Sequence, residues 1–169
     1  MNILFYVAAA VALISTVMVI TRLNAVHALL YLIMSLLAVA VIFFLLGAPF
    51  IAALEVIIYA GAIMVLFVFV VMMLNLGPQS AEQERQWFNL RTWRGLVLLA
   101  GILLVELIFT FRLEYMQPQN LTQISPRQVA IALFGPYLLG VELASMLLLA
   151  GLVGAYHLGR RESKEERQA

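Results

Sequence analysis

Five long apolar runs, at residues 3–20, 28–46, 50–74, 95–111 and 136–158, govern what this chain can become. About 20 apolar residues in a helix match the roughly 30 Å hydrocarbon core of a bilayer, and in lipid a helix satisfies its own backbone polar groups. The expectation is an all-α integral membrane protein with five transmembrane helices. Composition agrees, with 64% of the 169 residues hydrophobic and 11% charged, and a mean hydropathy of +1.03. One five-span membrane domain over 1–158 and a charged tail over 159–169 use the whole chain, leaving no separate soluble domain. No Lys or Arg precedes the first run, so it lacks the positive start of a secretory signal and reads as a span.

The connections carry their own signals. Gly47-Ala48-Pro49 ends the second run, because glycine and then proline stop a helix. Ser125-Pro126-Arg127-Gln128 reads as an N-cap serine, a proline at the first helical position and a capping-box glutamine. Pro136 then interrupts the pattern, which predicts a short surface helix to Phe134 before the fifth span. Between residues 79 and 94, Trp87, Phe88 and Trp93 alternate with charges and are expected at the membrane interface.

Five spans put the termini on opposite sides, and Lys/Arg placement sets the orientation. Arg22, Arg85, Arg91, Arg94, Arg160, Arg161, Lys164 and Arg167 collect on one face, and only Arg112 and Arg127 on the other. The amino terminus is expected outside and the carboxy terminus in the cytoplasm.

A net charge of +1 and the absence of cysteine exclude several classes. There is no basic field for nucleic acid, no thiolate metal site or iron-sulfur cluster, and no cysteine nucleophile. His27 and His157 lie near span ends, where solvation or capping is the simpler role. The remaining candidates are carboxylates inside apolar runs: Glu55, Glu106 and Glu142. Each sits about 5 to 7 residues from the outer end of its span, roughly 7 to 10 Å deep. Ionised carboxylates are costly there, so such acids are functional candidates. No Lys or Arg shares a span with them. Glu106, six residues before Arg112, is read equally well as snorkelling to the surface. Glu55 and Glu142 are candidates for a proton-linked polar network, against a structural hydrogen bond to a neighbouring helix.

Tyr59 lies one turn from Glu55 on the same face, so a hydroxyl and a carboxyl share one column. Ala60-Gly61-Ala62 weakens helix propensity at mid-membrane. Small residues four apart in the fifth span, such as Gly140 with Ala144 and Gly151 with Ala155, suit close helix packing. These features point to a subunit of a larger membrane assembly. A self-sufficient small ion channel or transporter, and a purely structural spacer, remain open at this level.

Three blocks carry a resemblance. His27-Ala-Leu-Leu-Tyr-Leu-Ile, the third run from Ala53 through Glu55, Tyr59, Gly61 and Val65 to Asn75, and Leu133-Phe-Gly-Pro-Tyr with Val141-Glu-Leu-Ala-Ser-Met resemble the subunit J family of bacterial NADH:quinone oxidoreductase, respiratory complex I. The likeness is weak between Gly77 and Gln123, so Glu106 inherits no role. The resemblance implies a proton-translocating membrane-arm subunit in the bacterial inner (cytoplasmic) membrane, with its amino terminus periplasmic. Its partners would be the quinone-proximal subunit, the small three-helix subunit and the antiporter-like subunits. NADH, FMN, iron-sulfur clusters and quinone would belong to partner subunits, with no cofactor or metal in this chain. It further implies a π-bulge beside Tyr59 in the third span whose change of state opens or closes a hydrated proton path. Taken with the acids inside the apolar runs, this makes Glu55, Tyr59, Gly61, Val65 and Glu142 the expected proton-path or coupling residues.

Overall fold

The computed structural model describes residues 2–22, 24–73, 90–116 and 123–160. The interface reading of Trp87 and Phe88 and the charged tail beyond Arg160 lie outside these residues. Helices α1 (Asn2–Thr21) and α2 (Ala25–Leu45) lead into α3 (Pro49–Met73). They are followed by α4 (Leu90–Met116), the short α5 (Pro126–Phe134) and α6 (Leu138–Gly159). All but α5 contain a stretch long and apolar enough to cross a membrane. By contacts, the chain divides into a unit Met1–Ile124 and a unit Ser125–Ala169.

Local chemistry sets the helix ends. The Asn24 side chain accepts hydrogen bonds from the backbone N–H groups of Val26 and His27 at 3.0 and 3.3 Å, capping α2. At the other end, Gly47 takes φ 80°. Its N–H donates to the Phe44 carbonyl, and that of Ala48 to the Phe43 carbonyl, each at 3.0 Å. These two bonds form a Schellman stop, which needs the left-handed conformation glycine adopts without strain. Pro49 then opens α3 at the position where its missing N–H costs nothing. The turn is held further by the Ile124 N–H donating to the Gly47 carbonyl at 2.9 Å.

In the first unit, α1, α2 and α4 share one core. On α2, Tyr31, Met34, Ala38, Val41 and Leu45 are buried, a spacing of three and four that draws one seam along the helix. They meet Ala8 and Val11 of α1 and Leu99 and Leu103 of α4. The small residues Ala8 and Ser15, both fully buried, let α1 approach closely. The hydroxyls of Thr16 and Ser35 lie 2.9 Å apart across the α1–α2 contact. Tyr31 anchors the opposite end of this core from the Gly47 turn. The Arg22 guanidinium stands 5.3 Å from its ring centre, a cation–π contact, and its hydroxyl seats where a side chain on Gly95 would be. His27, one turn earlier, meets Trp93 edge-on at 6.0 Å.

In the second unit, α5 begins as the sequence predicts. The Gln128 N–H donates to the Ser125 hydroxyl at 3.3 Å and the Ser125 N–H to the Gln128 side chain at 3.0 Å. The chain breaks at Gly135–Tyr137 before α6, where proline forbids continuation.

Candidate functional site

Helix α3 departs from regularity where the candidate residues lie. Residues Glu55–Ile63 form a π-helix of nine residues, set between α-helical Pro49–Leu54 and Met64–Met73. At its end the Met64 N–H reaches the carbonyl of Tyr59, five residues back. Such segments are rare and usually a single turn, because the wider ring packs its own backbone less well. Three features of the sequence favour it. Gly61 weakens the competing α-helix by about 1 kcal/mol relative to alanine. The β-branched Val56, Ile57 and Ile58 are poorer helix formers than leucine. Finally, a Cβ on Gly61 would stand only 3.1 Å from the Val56 carbonyl oxygen, so the widened turn suits a residue without one.

The π segment therefore gathers three of the five predicted site residues: Glu55, Tyr59 and Gly61. Val65 lies just beyond it, in the resumed α-helix. The Glu55 carboxyl is half-buried, whereas Tyr59 (49%) and Val65 (64%) are exposed. No residue of the π segment is buried. Glu142 belongs to α6 in the second unit, where it is exposed and its carbonyl oxygen accepts the Ser145 hydroxyl at 2.7 Å. Its kinship with the π segment thus rests on the sequence alone.

Glu106 requires a correction. Snorkelling to the surface does not occur: the residue is 3% exposed, inside the first unit. It follows Leu99 and Leu103 on α4 and precedes Thr110, all four buried, and this spacing carries one face of the helix into the core. Its carboxyl lies beside the Ala8 backbone, whose hydrogen-bonding groups already serve α1, and neither carboxyl oxygen has a hydrogen-bond partner. The stripe Leu99, Leu103, Glu106, Thr110 was available in the sequence. It was masked because α4 is apolar on nearly every side.

Among the described residues no group of three His, Cys, Asp or Glu stands close enough to hold a metal ion. What the site offers is a half-buried carboxyl and an exposed phenol on a helical segment of unusual register.

Five long apolar helices, one carrying a π segment with an acid in it, define an integral membrane protein. Residues 15–158 match the model of the NADH-ubiquinone/plastoquinone oxidoreductase chain 6 family, and the chain belongs to that family. It is 59% identical over 166 residues to NADH-quinone oxidoreductase subunit J of Pseudomonas aeruginosa, covering 98% of this chain and 100% of the relative. The Escherichia coli K12 protein of the same description is 56% identical over 166 residues, 98% and 90% of the two chains. That of Buchnera aphidicola subsp. Schizaphis graminum is 48% identical over 164 residues, 96% and 99%.

Proposed function

We propose that the chain is a membrane subunit of a proton-pumping NADH:quinone oxidoreductase and that α3 couples quinone reduction to proton translocation. Family membership and full-length similarity to subunits of that description support the first part. The second rests on one observation, the π segment Glu55–Ile63 with Glu55, Tyr59 and Gly61 on it.

A π turn takes in one residue more than an α turn. Converting one register to the other rotates everything on one side of it by about 100° and advances it by about 1.5 Å. Glu55 and Tyr59 would then meet different neighbours in the two states, and Val65 would swing with the second half of the helix. An apolar residue entering or leaving an adjacent path dries or wets it, and a carboxyl beside a wetted path passes a proton. The two registers need to lie within a few kcal/mol of each other for a distant reaction to bias them. Glu142 is assigned to the same proton path from its motif. The redox groups, NADH, FMN, iron-sulfur clusters and quinone, are assigned to partner subunits. The membrane partners are the quinone-proximal, small three-helix and antiporter-like subunits, within the bacterial inner membrane. The amino terminus is assigned to the periplasm and the carboxy terminus to the cytoplasm.

Structures of the intact complex in several functional states test the coupling. A change of α3 between π and α register is expected; one unchanging register in every state, with Glu55→Gln pumping normally, supports the spacer instead.

A further inference from the structure

The unsatisfied polar groups of the chain follow a pattern in which α3 has no part. Among the described residues, seven buried side-chain polar atoms have no hydrogen-bond partner, and they belong to Ser15, Arg22, His27, Tyr31 and Glu106. These residues lie on α1, α2 and α4 or, for Arg22, at the end of α1. Buried polar groups in proteins are nearly always paired, and ionisable ones inside a membrane mark the routes of ions and protons. We propose that Glu106, Ser15, Tyr31 and His27 form a second proton path, through the α1–α2–α4 core and separate from the one assigned to α3. It rests on the reading that the complex pumps protons, and not on the change of register in α3.

Helix geometry arranges these groups as a column. On α2, His27, Tyr31 and Ser35 follow one another at four-residue steps, about 6 Å each along one face. The Ser35 hydroxyl lies 2.9 Å from that of Thr16 on α1, next in the chain to fully buried Ser15. Seven residues from Ser15 along the same face of α1 stands Ala8, whose backbone adjoins the Glu106 carboxyl. One turn beyond Glu106 is buried Thr110, whose hydroxyl donates to the Glu106 carbonyl oxygen at 2.9 Å. Helix α4 measures the column independently. The Tyr31 hydroxyl seats against Gly95, and the step from Gly95 to Glu106 rises as far as the α2 and α1 steps together, about 16 Å. From Trp93, which meets His27, to Thr110 the rise is about 25 Å, most of the roughly 30 Å hydrocarbon core.

Each carrier has the chemistry for the task. A hydroxyl both gives and takes a proton, a neutral imidazole donates at one nitrogen and accepts at the other, and a carboxyl does both in its acid form. Arg22 keeps its proton and is no carrier. Steps of 6 Å exceed a hydrogen bond, so about one water bridges each, and about three bridge the longer step from Ser15 to Glu106. That longer step is bordered by a cleft of about 480 Å³ between α1 and α4, lined among others by Leu4, Val7, Gly101 and Glu106, where the two helices have room to part. In every hop one O–H or N–H bond breaks as another forms. One proton therefore leaves the far end for each that enters, and nothing is oxidised or reduced.

The test uses the intact complex in sealed vesicles and needs two readouts. Glu106→Gln and Tyr31→Phe each keep the shape of the side chain while interrupting the relay. Both are expected to lower the protons pumped per NADH oxidised by about twofold, with NADH oxidation in uncoupled vesicles changing less. The second readout needs no variant. Hydroxyl radicals generated by X-rays from bound water oxidise the buried side chains beside it, and Met34 and Tyr31, 8% and 1% exposed, are expected to be oxidised severalfold faster during turnover than at rest. A proton ratio that survives both variants overturns the proposal, whatever the oxidation pattern, since water held there would then be structural. Met34 and Tyr31 equally protected at rest and in turnover also overturn it. Wild-type complex that oxidises NADH without acidifying the vesicles sinks the pumping reading itself, whereas pumping wild type with unaffected variants sinks only the second path.

Discussion

The Val56 carbonyl oxygen occupies the space beside Gly61 so closely that a Cβ there would stand 3.1 Å away. The contact spans five residues, the spacing of the π-helical hydrogen bond. A side chain at position 61 therefore penalises the π register, while alanine also favours the α-helix by about 1 kcal/mol. Gly61→Ala is expected to shift α3 toward the α register and slow NADH-driven quinone reduction and proton pumping together. Gly61→Leu should do so more strongly through overpacking. Both rates are measured in reconstituted complex, and normal pumping by an assembled Gly61→Leu enzyme would falsify the switch.

Glu55→Gln keeps the shape and hydrogen-bonding capacity of the side chain but removes its titration. Assembly is expected to survive and pumping to fall. Unchanged pumping by the assembled variant reduces Glu55 to a structural contact. This experiment and the Gly61 series separate the proton from the hinge: one removes the charge and leaves the backbone, the other does the reverse.

Tyr31 and Gly95 form a second glycine-dependent contact, this one inside the core. A Cβ on Gly95 would lie 2.6 Å from the Tyr31 hydroxyl and 3.7 Å from the ring carbon that bears it. Gly95→Ala is thus expected to destabilise the α2–α4 packing by about 1 to 3 kcal/mol. Tyr31→Phe alone should cost little, since the hydroxyl is buried without a hydrogen-bond partner. In the double variant the phenyl ring leaves ordinary van der Waals room for the methyl, so stability should largely return. Thermal midpoints of the four purified complexes close this cycle, and additive losses would show that the hydroxyl is not the obstacle.

For Glu106 the expectation follows from its unpartnered oxygens. An unsatisfied buried polar group costs about 1 to 3 kcal/mol, so an apolar replacement of similar length is tolerated or stabilising. Glu106→Leu should assemble and melt at the same temperature or higher. A lower midpoint would show that the carboxyl gains more from its surroundings, the neighbouring Ala8 backbone among them, than its burial costs.

A reporter fused after Ala169 is expected to report the cytoplasm, and one inserted between positions 117 and 123 the outer compartment, because eight of the ten basic residues fall on the face assigned to the cytoplasm. The opposite result reverses the proposed orientation.

Much of this is legible in the sequence. Lipid imposes a strict rule on the backbone, so five apolar runs announce five helices, and Ser125-Pro126-Gln128 announces α5 because its cap is written in consecutive side chains. The polar ends of α4 were not visible to hydropathy, and the helix extends over Leu90–Met116, past both ends of the apolar run. The Asn24 cap of α2 lacks the proline and the capping-box glutamine that mark α5. The burial of Glu106 depended on which face of an apolar helix turns inward, which only the close approach of Ala8 decides. Ala60-Gly61-Ala62 marked a weak point in α3, and the resemblance suggested a bulge at Tyr59. The extent of the segment, nine residues beginning at Glu55 itself, had no sequence signal because a π-helix has no side-chain code comparable to a cap.

The turn at Gly47 has a mechanical consequence for α3. Its Schellman bonds, the clamp from Ile124 and Pro49 fix where the helix starts, whereas beyond the π segment only Met64 is buried within the chain. A shaft clamped at one bearing delivers torque at its free end. Any residue gained or lost by the π segment would therefore be felt at Val65–Met73, whose exposed apolar side chains are the surface a neighbour would grip.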